Sequence, residues 1–244
     1  MVLGSGGGGG VPITGCDNTN CKTSIINKMF QRKPTSVLIQ TTDNKHILVD
    51  AGTDVLEYYT GKIDLILLTH WHHDHIAGLY RLRWSKFKIP LHAPMEHADE
   101  QILNSPKNLN IYLHDEPPIL KLDNIEIIGY KLNHSVQTFG YIIREGDKSV
   151  AIIFDTKCVP RQTRGILENN DVDVALIDST FAPGVDDKSH NNVDDAIRIG
   201  EKYSKEYYLT HIAYHNLDFK TLWEYVKSKS EKGKITYDGM IIQV

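Results

Sequence analysis

Apolar residues in this chain fall in short, nearly unbroken runs, each closed by polar or glycine-containing segments. Residues 36–41 and 46–50 read as two strands, and Thr42-Asp43-Asn44-Lys45 between them as a hairpin loop. Residues 63–68 are almost continuously apolar, the pattern of a strand covered on both faces. Further strands are expected at 89–92, 125–130, 139–143, 149–154, 172–177 and 207–209. Helices are expected to start near Ile76 and to span about 95–104, 160–169, 192–203 and 218–230; in the last, Phe219, Leu222, Trp223 and Val226 fall at helical spacing. Asp238-Gly239 is a hairpin signal, so 234–244 is expected to close as two short strands. At the other end, Val2-Leu3 reads as an edge strand running into a glycine loop. The glycine run alone would also suit an expression linker, but the apolar Val2, Leu3, Val11 and Ile13 around it favour the strand.

Composition sets broad bounds. With 244 residues, 41% hydrophobic and 24% charged, the chain suits a globular protein with a sizeable core, read as a single domain over 1–244. A net charge of -4 gives no support for a nucleic-acid footprint, and no apolar run approaches a membrane span. With no secretion signal and three cysteines, the cytoplasm is the expected compartment.

The chemistry concentrates where strands end. His70-Trp71-His72-His73-Asp74-His75 holds four of the twelve histidines, between a buried strand and a helix start. Imidazoles and carboxylates are the usual ligands of Zn²⁺ and similar ions. The alternative, a solvated His-rich turn, fits poorly with the core-type residues on both sides. His134, Asp155 and His211 each follow within a few residues of another apolar strand, so loops at one end of several strands can bring them together. With His70, His72, Asp74 and His75 they make five histidines and two aspartates. That set suits two ions: three histidines on one, an aspartate and two histidines on the other, and one carboxylate shared. Asp50 and Asp178, also at strand ends, are either turn residues or groups that orient a ligand. Cys16 and Cys21 read equally as free thiols or as part of a structural metal site, and His92, His97 and His114 as surface or satisfied histidines.

The segment His70-Trp71-His72-His73-Asp74-His75, followed in order by His134, Asp155 and His211, resembles the HxHxDH signature of the metallo-β-lactamase superfamily. The resemblance implies a four-layer αββα sandwich of mixed α/β class, with two divalent metal ions at the edge of its sheets. A narrower resemblance rests on Gly10-Val11-Pro12, Gly15-Cys16, Leu132-Asn133-His134-Ser135, Thr138-Phe139-Gly140-Tyr141 and Asp238-Gly239-Met240. It is to the branch containing the phosphoribosyl 1,2-cyclic phosphate phosphodiesterase of the carbon–phosphorus lyase pathway. That branch implies hydrolysis of a small cyclic phosphodiester by a hydroxide shared between Zn²⁺ or Mn²⁺ ions. Asp74 would hold one ion and accept a hydrogen bond from the nucleophile. His190 stands where a histidine of that branch contacts the phosphate; by itself it reads as a polar residue at a helix start. The branch also carries a structural zinc held by three cysteines and a histidine. Cys16 and Cys21 match, Asn18 takes the middle cysteine's place, and His215 fits only with one residue inserted.

The expected partner is a small phosphorylated substrate, with neither nucleic acid nor membrane and with a homodimer left open. Rival readings are an acyl hydrolase (thioesterase or lactonase) on the same metals, an RNA-processing nuclease, and a non-catalytic metal carrier. The metal ligands cannot separate ester from phosphodiester chemistry. No long basic insertion supports the nuclease, and a carrier should have lost ligands.

Overall fold

The apolar runs assemble into two sheets. In the computed structural model, which describes residues 1–244, the first sheet has strands β1 (Val2–Gly4), β2 (Ser36–Gln40), β3 (His46–Val49), β4 (Leu65–Leu67), β5 (Ile89–Pro94) and β6 (Leu109–His114), side by side in that order. The second has β7 (Ile119–Leu122), β8 (Ile125–Lys131), β9 (Phe139–Glu145), β10 (Lys148–Ile153), β11 (Val172–Asp178), β12 (Ser204–Thr210) and β13 (Gly233–Ile235), again each beside the next. The helices are α1 (Thr19–Ile26), α2 (His73–Ile76), α3 (Leu79–Leu82), α4 (Glu100–Asn104), α5 (Arg161–Glu168), α6 (Val193–Tyr203) and α7 (Phe219–Lys229).

Side-chain alternation explains the layering. Ile47, Val49, Leu65 and Leu67 of the first sheet face Ile127, Tyr141, Ile152 and Leu176 of the second, in a cluster between the sheets. The intervening Leu48 and Ile66 point outward, to pack with Ile76, Leu79, Leu82 and Ile102 of the short helices. Ala151, Ile153, Ala175 and Ile177 likewise face outward onto Leu167, Ile199, Leu222 and Val226 of α5, α6 and α7. Strands covered on both faces must be apolar throughout, which is why these runs do not alternate in sequence. Three apolar layers between four layers of structure make the αββα sandwich expected above.

Strands β3 to β6 run parallel, as do β10 to β13. Their carboxyl ends therefore gather at one edge of the sandwich. The sheets are tied together there: Phe139 N–H donates to Thr69 O at 2.9 Å, and the Tyr141 hydroxyl to Leu68 O at 2.8 Å. These bonds satisfy backbone groups just before the histidine cluster and fix its take-off point.

Several expectations change. The helix expected over 95–104 is only α4, capped by the Asp99 side chain accepting from Ile102 N–H, because His97 sits in the left-handed region at φ 59°. The chain after β13 forms no hairpin. The Asp238 carboxylate accepts from Ser5 N–H, Ser5 Oγ and Lys33 N–H, and Gly239 N–H donates to Val2 O. The turn signal thus serves to strap the C-terminal segment to β1. Edge strands β6 and β7 carry no expectation above. No helix is long and apolar enough to cross a membrane.

Candidate metal centre

Asp50, Asp155 and His211 each occupy the first or second position past a parallel strand, and each has a left-handed backbone, with φ of 55°, 43° and 56°. For residues with a Cβ this conformation costs about 1–2 kcal/mol. It turns three polar side chains off the strand direction and into the same space. Strain of this kind clusters at functional sites. On the first sheet, α2 begins immediately after His72, and Ala51 N–H donates to His75 O at 2.8 Å. Gly52 is needed there, because a Cβ would collide with the Asp74 carbonyl.

The seven residues expected as ligands come together around Asp155, and its two oxygens divide them. Oδ2 lies 3.5 Å from His70 Nε2 and 3.7 Å from His134 Nε2, and His134 Nε2 is 3.1 Å from His72 Nδ1. Oδ1 lies 3.1 Å from His211 Nε2 and 3.4 Å from His75 Nε2, and Asp74 Oδ2 is 3.3 Å from His211 Nε2 and 3.6 Å from His75 Nε2. Donor atoms in each of two groups, His70/His72/His134/Asp155 and Asp74/His75/His211, lie within 4.8 Å of one another. Burial opposes charge on Asp155, but His211, His75 and His70 facing it hold the carboxylate well below the usual range. Burial, then the neighbouring His75, pushes His70 well below the ordinary histidine value.

Whether metal ions fit can be judged from the polar atoms themselves. His70 Nε2, His75 Nε2 and Asp155 Oδ1 are buried with no hydrogen-bond partner. Each such atom costs about 1–3 kcal/mol if left unpaired. Imidazole lone pairs and carboxylate oxygens turned toward each other are acceptors that lack donors, and divalent cations supply the missing partner.

The outer nitrogens of four of the five histidines are held. His75 Nδ1 meets Asp50 Oδ2 at 2.7 Å, and Asp50 also accepts from Thr69 N–H and Oγ1, both at 2.8 Å. Asp50 therefore orients a candidate ligand. His211 Nδ1 pairs with Thr180 Oγ1 at 2.8 Å, His134 Nδ1 with Ser189 O at 3.1 Å, and His70 Nδ1 with Thr69 Oγ1 at 3.0 Å. Such bonds fix which nitrogen faces the site. Asp178 both shapes its turn and orients a histidine. Its carboxylate accepts from Thr180 N–H and Thr180 Oγ1 within the turn, from Thr156 N–H, and from His190 Nδ1 at 3.1 Å.

His190 lies at the rim of this cluster, with one ring nitrogen within 4.8 Å of donor atoms of Asp155 and His211. Burial disfavours its charge, yet Asp178, then Asp155 and Asp187, more than offset this and raise it to about 9.

The glycine run contributes directly, which no motif announced. Gly8 N–H donates to Asp74 Oδ2 at 2.7 Å, and a Cβ on Gly7 would lie 2.5 Å from His211 Nδ1. Strand β1 and this loop settle the linker question. The signal in the sequence was the apolar residues on both sides of the glycines, Val2, Leu3, Val11 and Ile13.

The structural zinc expectation is overturned. Cys16 and Cys21 are joined in a disulfide, so neither thiol is free for a metal, and no cluster of metal-type donors includes them. Asn18 instead caps α1 by accepting from Cys21 N–H, while its amide donates to Tyr214 O at 2.9 Å. Asn20 also donates to Tyr214 O and to Asn216 O. The loop after His211 is thus tied to α1 by amide hydrogen bonds. His215 lies against Phe181, with ring centroids 4.8 Å apart. His92 and His114 form a separate pair, Nδ1 to Nε2 at 2.8 Å.

An αββα sandwich with histidines and aspartates gathered at the strand ends defines a metallo-hydrolase. A family model described as a β-lactamase superfamily domain matches residues 45–212, and the chain belongs to the metallo-β-lactamase superfamily. Among solved structures, one described as a new diphosphatase from the PhnP family superposes with a TM-score of 0.83 at 26% identity, covering 98% of this chain and 94% of that one. The probable metallo-hydrolase YhfI of Bacillus subtilis is 27% identical over 187 residues, 68% of this chain and 75% of that protein. Its crystal structure superposes with a TM-score of 0.78 at 22% identity, covering 98% of this chain and 96% of that one. An octanoyltransferase of Porphyromonas gingivalis is 33% identical over 136 residues, 52% of this chain and 26% of that protein. The chain spans from about a quarter to about half of the length of the first curated relatives it matches.

Proposed function

We propose that this chain is a metal-dependent phosphodiesterase acting on a small phosphorylated substrate, with a ribosyl cyclic phosphodiester as the first candidate. The observation that carries the reading is His190, fastened through Nδ1 to Asp178 at the rim of the metal cluster. With that nitrogen engaged, the other is left to meet a phosphoryl oxygen or to protonate a leaving alkoxide. A neutral ester has less use for a further positive donor beside the metals. The PhnP-family diphosphatase, which this chain matches along nearly its whole length, supports phosphoryl rather than acyl chemistry.

His70, His72 and His134 would hold one ion, Asp74, His75 and His211 the other, with Asp155 between them; a nitrogen and oxygen set of this kind takes Zn²⁺ or Mn²⁺. Bound there, such ions activate water and neutralise charge on phosphoryl oxygens. Asp74, which accepts from the Gly8 N–H, would also accept a hydrogen bond from the attacking water. Asp178 accepts from His190 Nδ1 and favours the imidazolium, so that the other nitrogen also carries a proton, toward the cleft.

The test is a substrate panel with protein loaded with Mn²⁺ or Zn²⁺, its metal content measured. Bis-aryl phosphodiesters and ribosyl cyclic phosphates should be hydrolysed. Cleavage of thioesters or lactones with phosphodiesters untouched overturns the proposal. His190→Ala should keep its metal and lose about 10²–10⁴-fold in turnover; loss of metal in that variant would instead make His190 a ligand.

A further inference from the structure

Beyond His190 the cleft changes character. Gly7, Gly8 and Gly9 line it with backbone, and Phe181, Tyr214 and His215 line it with rings. The Phe181 and His215 rings lie 4.8 Å apart with a 35° tilt, Tyr214 meets His215 edge-on at 5.0 Å, and Phe181 comes within 6.3 Å of His190. All three side chains are partly or largely exposed. Neither Phe181 nor Tyr214 packs against any of the three apolar clusters of the fold. These rings therefore do not support the core. Ring faces left toward water beside a polar site keep a hydrophobic driving force that a stacked planar partner would satisfy.

The backbone beneath them is anchored. Phe181 N–H donates to Asn191 O at 3.2 Å, and Phe181 O accepts from Val193 N–H at 3.0 Å. Tyr214 O is held by the amides of Asn18 and Asn20. A platform fixed at both ends of its backbone presents rings without needing to order them on binding. The cleft measures about 460 Å³, within the range of pockets for drug-sized ligands, roughly 300–1,000 Å³. A bare sugar phosphate would leave part of it unfilled.

We propose that Phe181, Tyr214 and His215 form a stacking subsite for an aromatic or heteroaromatic ring carried by the phosphorylated substrate. The inference rests on the phosphodiesterase reading above and narrows it. The preferred substrates are phosphodiesters or diphosphates bearing a planar ring, either an aryl group or a nucleobase, and among ribosyl cyclic phosphodiesters those that carry a base.

Two comparisons isolate planarity. Benzyl and cyclohexylmethyl p-nitrophenyl phosphate share a leaving group and similar bulk, and only the first has a ring that can stack. The metal-loaded enzyme should prefer the benzyl ester by about 10-fold or more in kcat/KM, since ring stacking by a base is worth roughly that or more. Calorimetry with AMP and ribose 5-phosphate gives a readout independent of turnover, with AMP expected to bind about 10-fold tighter or better. A benzyl preference without an AMP preference assigns the subsite to aryl groups; both together assign it to nucleobases as well. Phe181→Ala should bring both ratios toward one, and Phe181→Trp should retain them. Equal kinetics on the two esters with equal binding of AMP and ribose 5-phosphate refutes the subsite and leaves the phosphodiesterase reading standing. Absence of turnover on every phosphodiester refutes that reading instead, and the calorimetric ratio then decides the subsite alone.

Discussion

Replacing Asp50 with asparagine tests how the metal cluster is held without touching a candidate ligand. Asp50 is fully buried, and both of its oxygens accept: Oδ1 from Thr69 N–H, Oδ2 from Thr69 Oγ1 and from His75 Nδ1 at 2.7 Å. An amide has the same shape but only one acceptor oxygen. If that oxygen keeps the Thr69 N–H, the amide NH₂ faces Thr69 Oγ1 and His75 Nδ1, and the latter must give up its proton and become an acceptor. The proton then moves to Nε2, the atom that faces Asp155 Oδ1 and Asp74. A protonated Nε2 has no lone pair for a cation. Loss of an orienting partner of this kind costs about 10- to 100-fold in metal affinity, or about 1.4–2.8 kcal/mol. Asp50→Asn should therefore bind one ion of the pair that much more weakly. The ion held by His70, His72 and His134 should change little. The assay is competition against a chromogenic chelator, read as two successive dissociation steps. Burial pushes the Asp50 carboxyl up, so removing its charge should not unfold the metal-free protein. Two unchanged dissociation steps would refute the argument, as would equal weakening of both ions.

Gly7→Ala should lower metal content and turnover by about 10-fold or more, because its Cβ would press on the His211 ring. Gly8→Ala has open space around it and should cost only the left-handed strain of about 1–2 kcal/mol, read by denaturant unfolding. His92 gives a pH signature away from the metals. Burial, then the charge of His114, lowers it to about 4, so its contribution to stability is complete above the unfolded value near 6.5 and is lost as pH falls from there toward 4. Urea unfolding of His92→Gln should show a shallower fall across that window than the parent protein. Asn18→Ala removes both the α1 cap and a tie to Tyr214 O and should destabilise by about 0.5–2 kcal/mol in the same assay, with the metal content intact.

The expected metal residues were legible because their chemistry and their fold signals coincide. His70 to His75 follow a run whose lack of alternation marks burial on both faces, and β4 indeed has Leu65 and Leu67 turned to one layer and Ile66 to the other. The parallel strands β10, β11 and β12 were visible for the same reason. Edge strands were not: β6 and β7 are half solvated, and although Leu109, Ile111 and Leu113 alternate with more exposed residues, neither segment has the continuous apolar run that marked the buried strands. The Asp238-Gly239 signal misled because a carboxylate that can close a hairpin can equally receive the N–H of a distant Ser5. The cysteine pair was left open because spacing alone does not say whether two sulfurs will face an ion or each other.

What the amino-acid sequence determined by itself, then, was the set of buried strands, the αββα class through its resemblance, and the residue types able to bind divalent ions. These are consequences of local pattern, since burial on two faces and donor chemistry are both written residue by residue. Tertiary structure alone decided that each Asp155 oxygen faces a different group of histidines. It also brought Gly7 and Gly8 against His211 and Asp74, and set Phe181 beside His215 at the mouth of the cleft. Those relations join residues as far apart in sequence as Gly7 and His211, and they depend on ångström-scale spacing that no local pattern encodes.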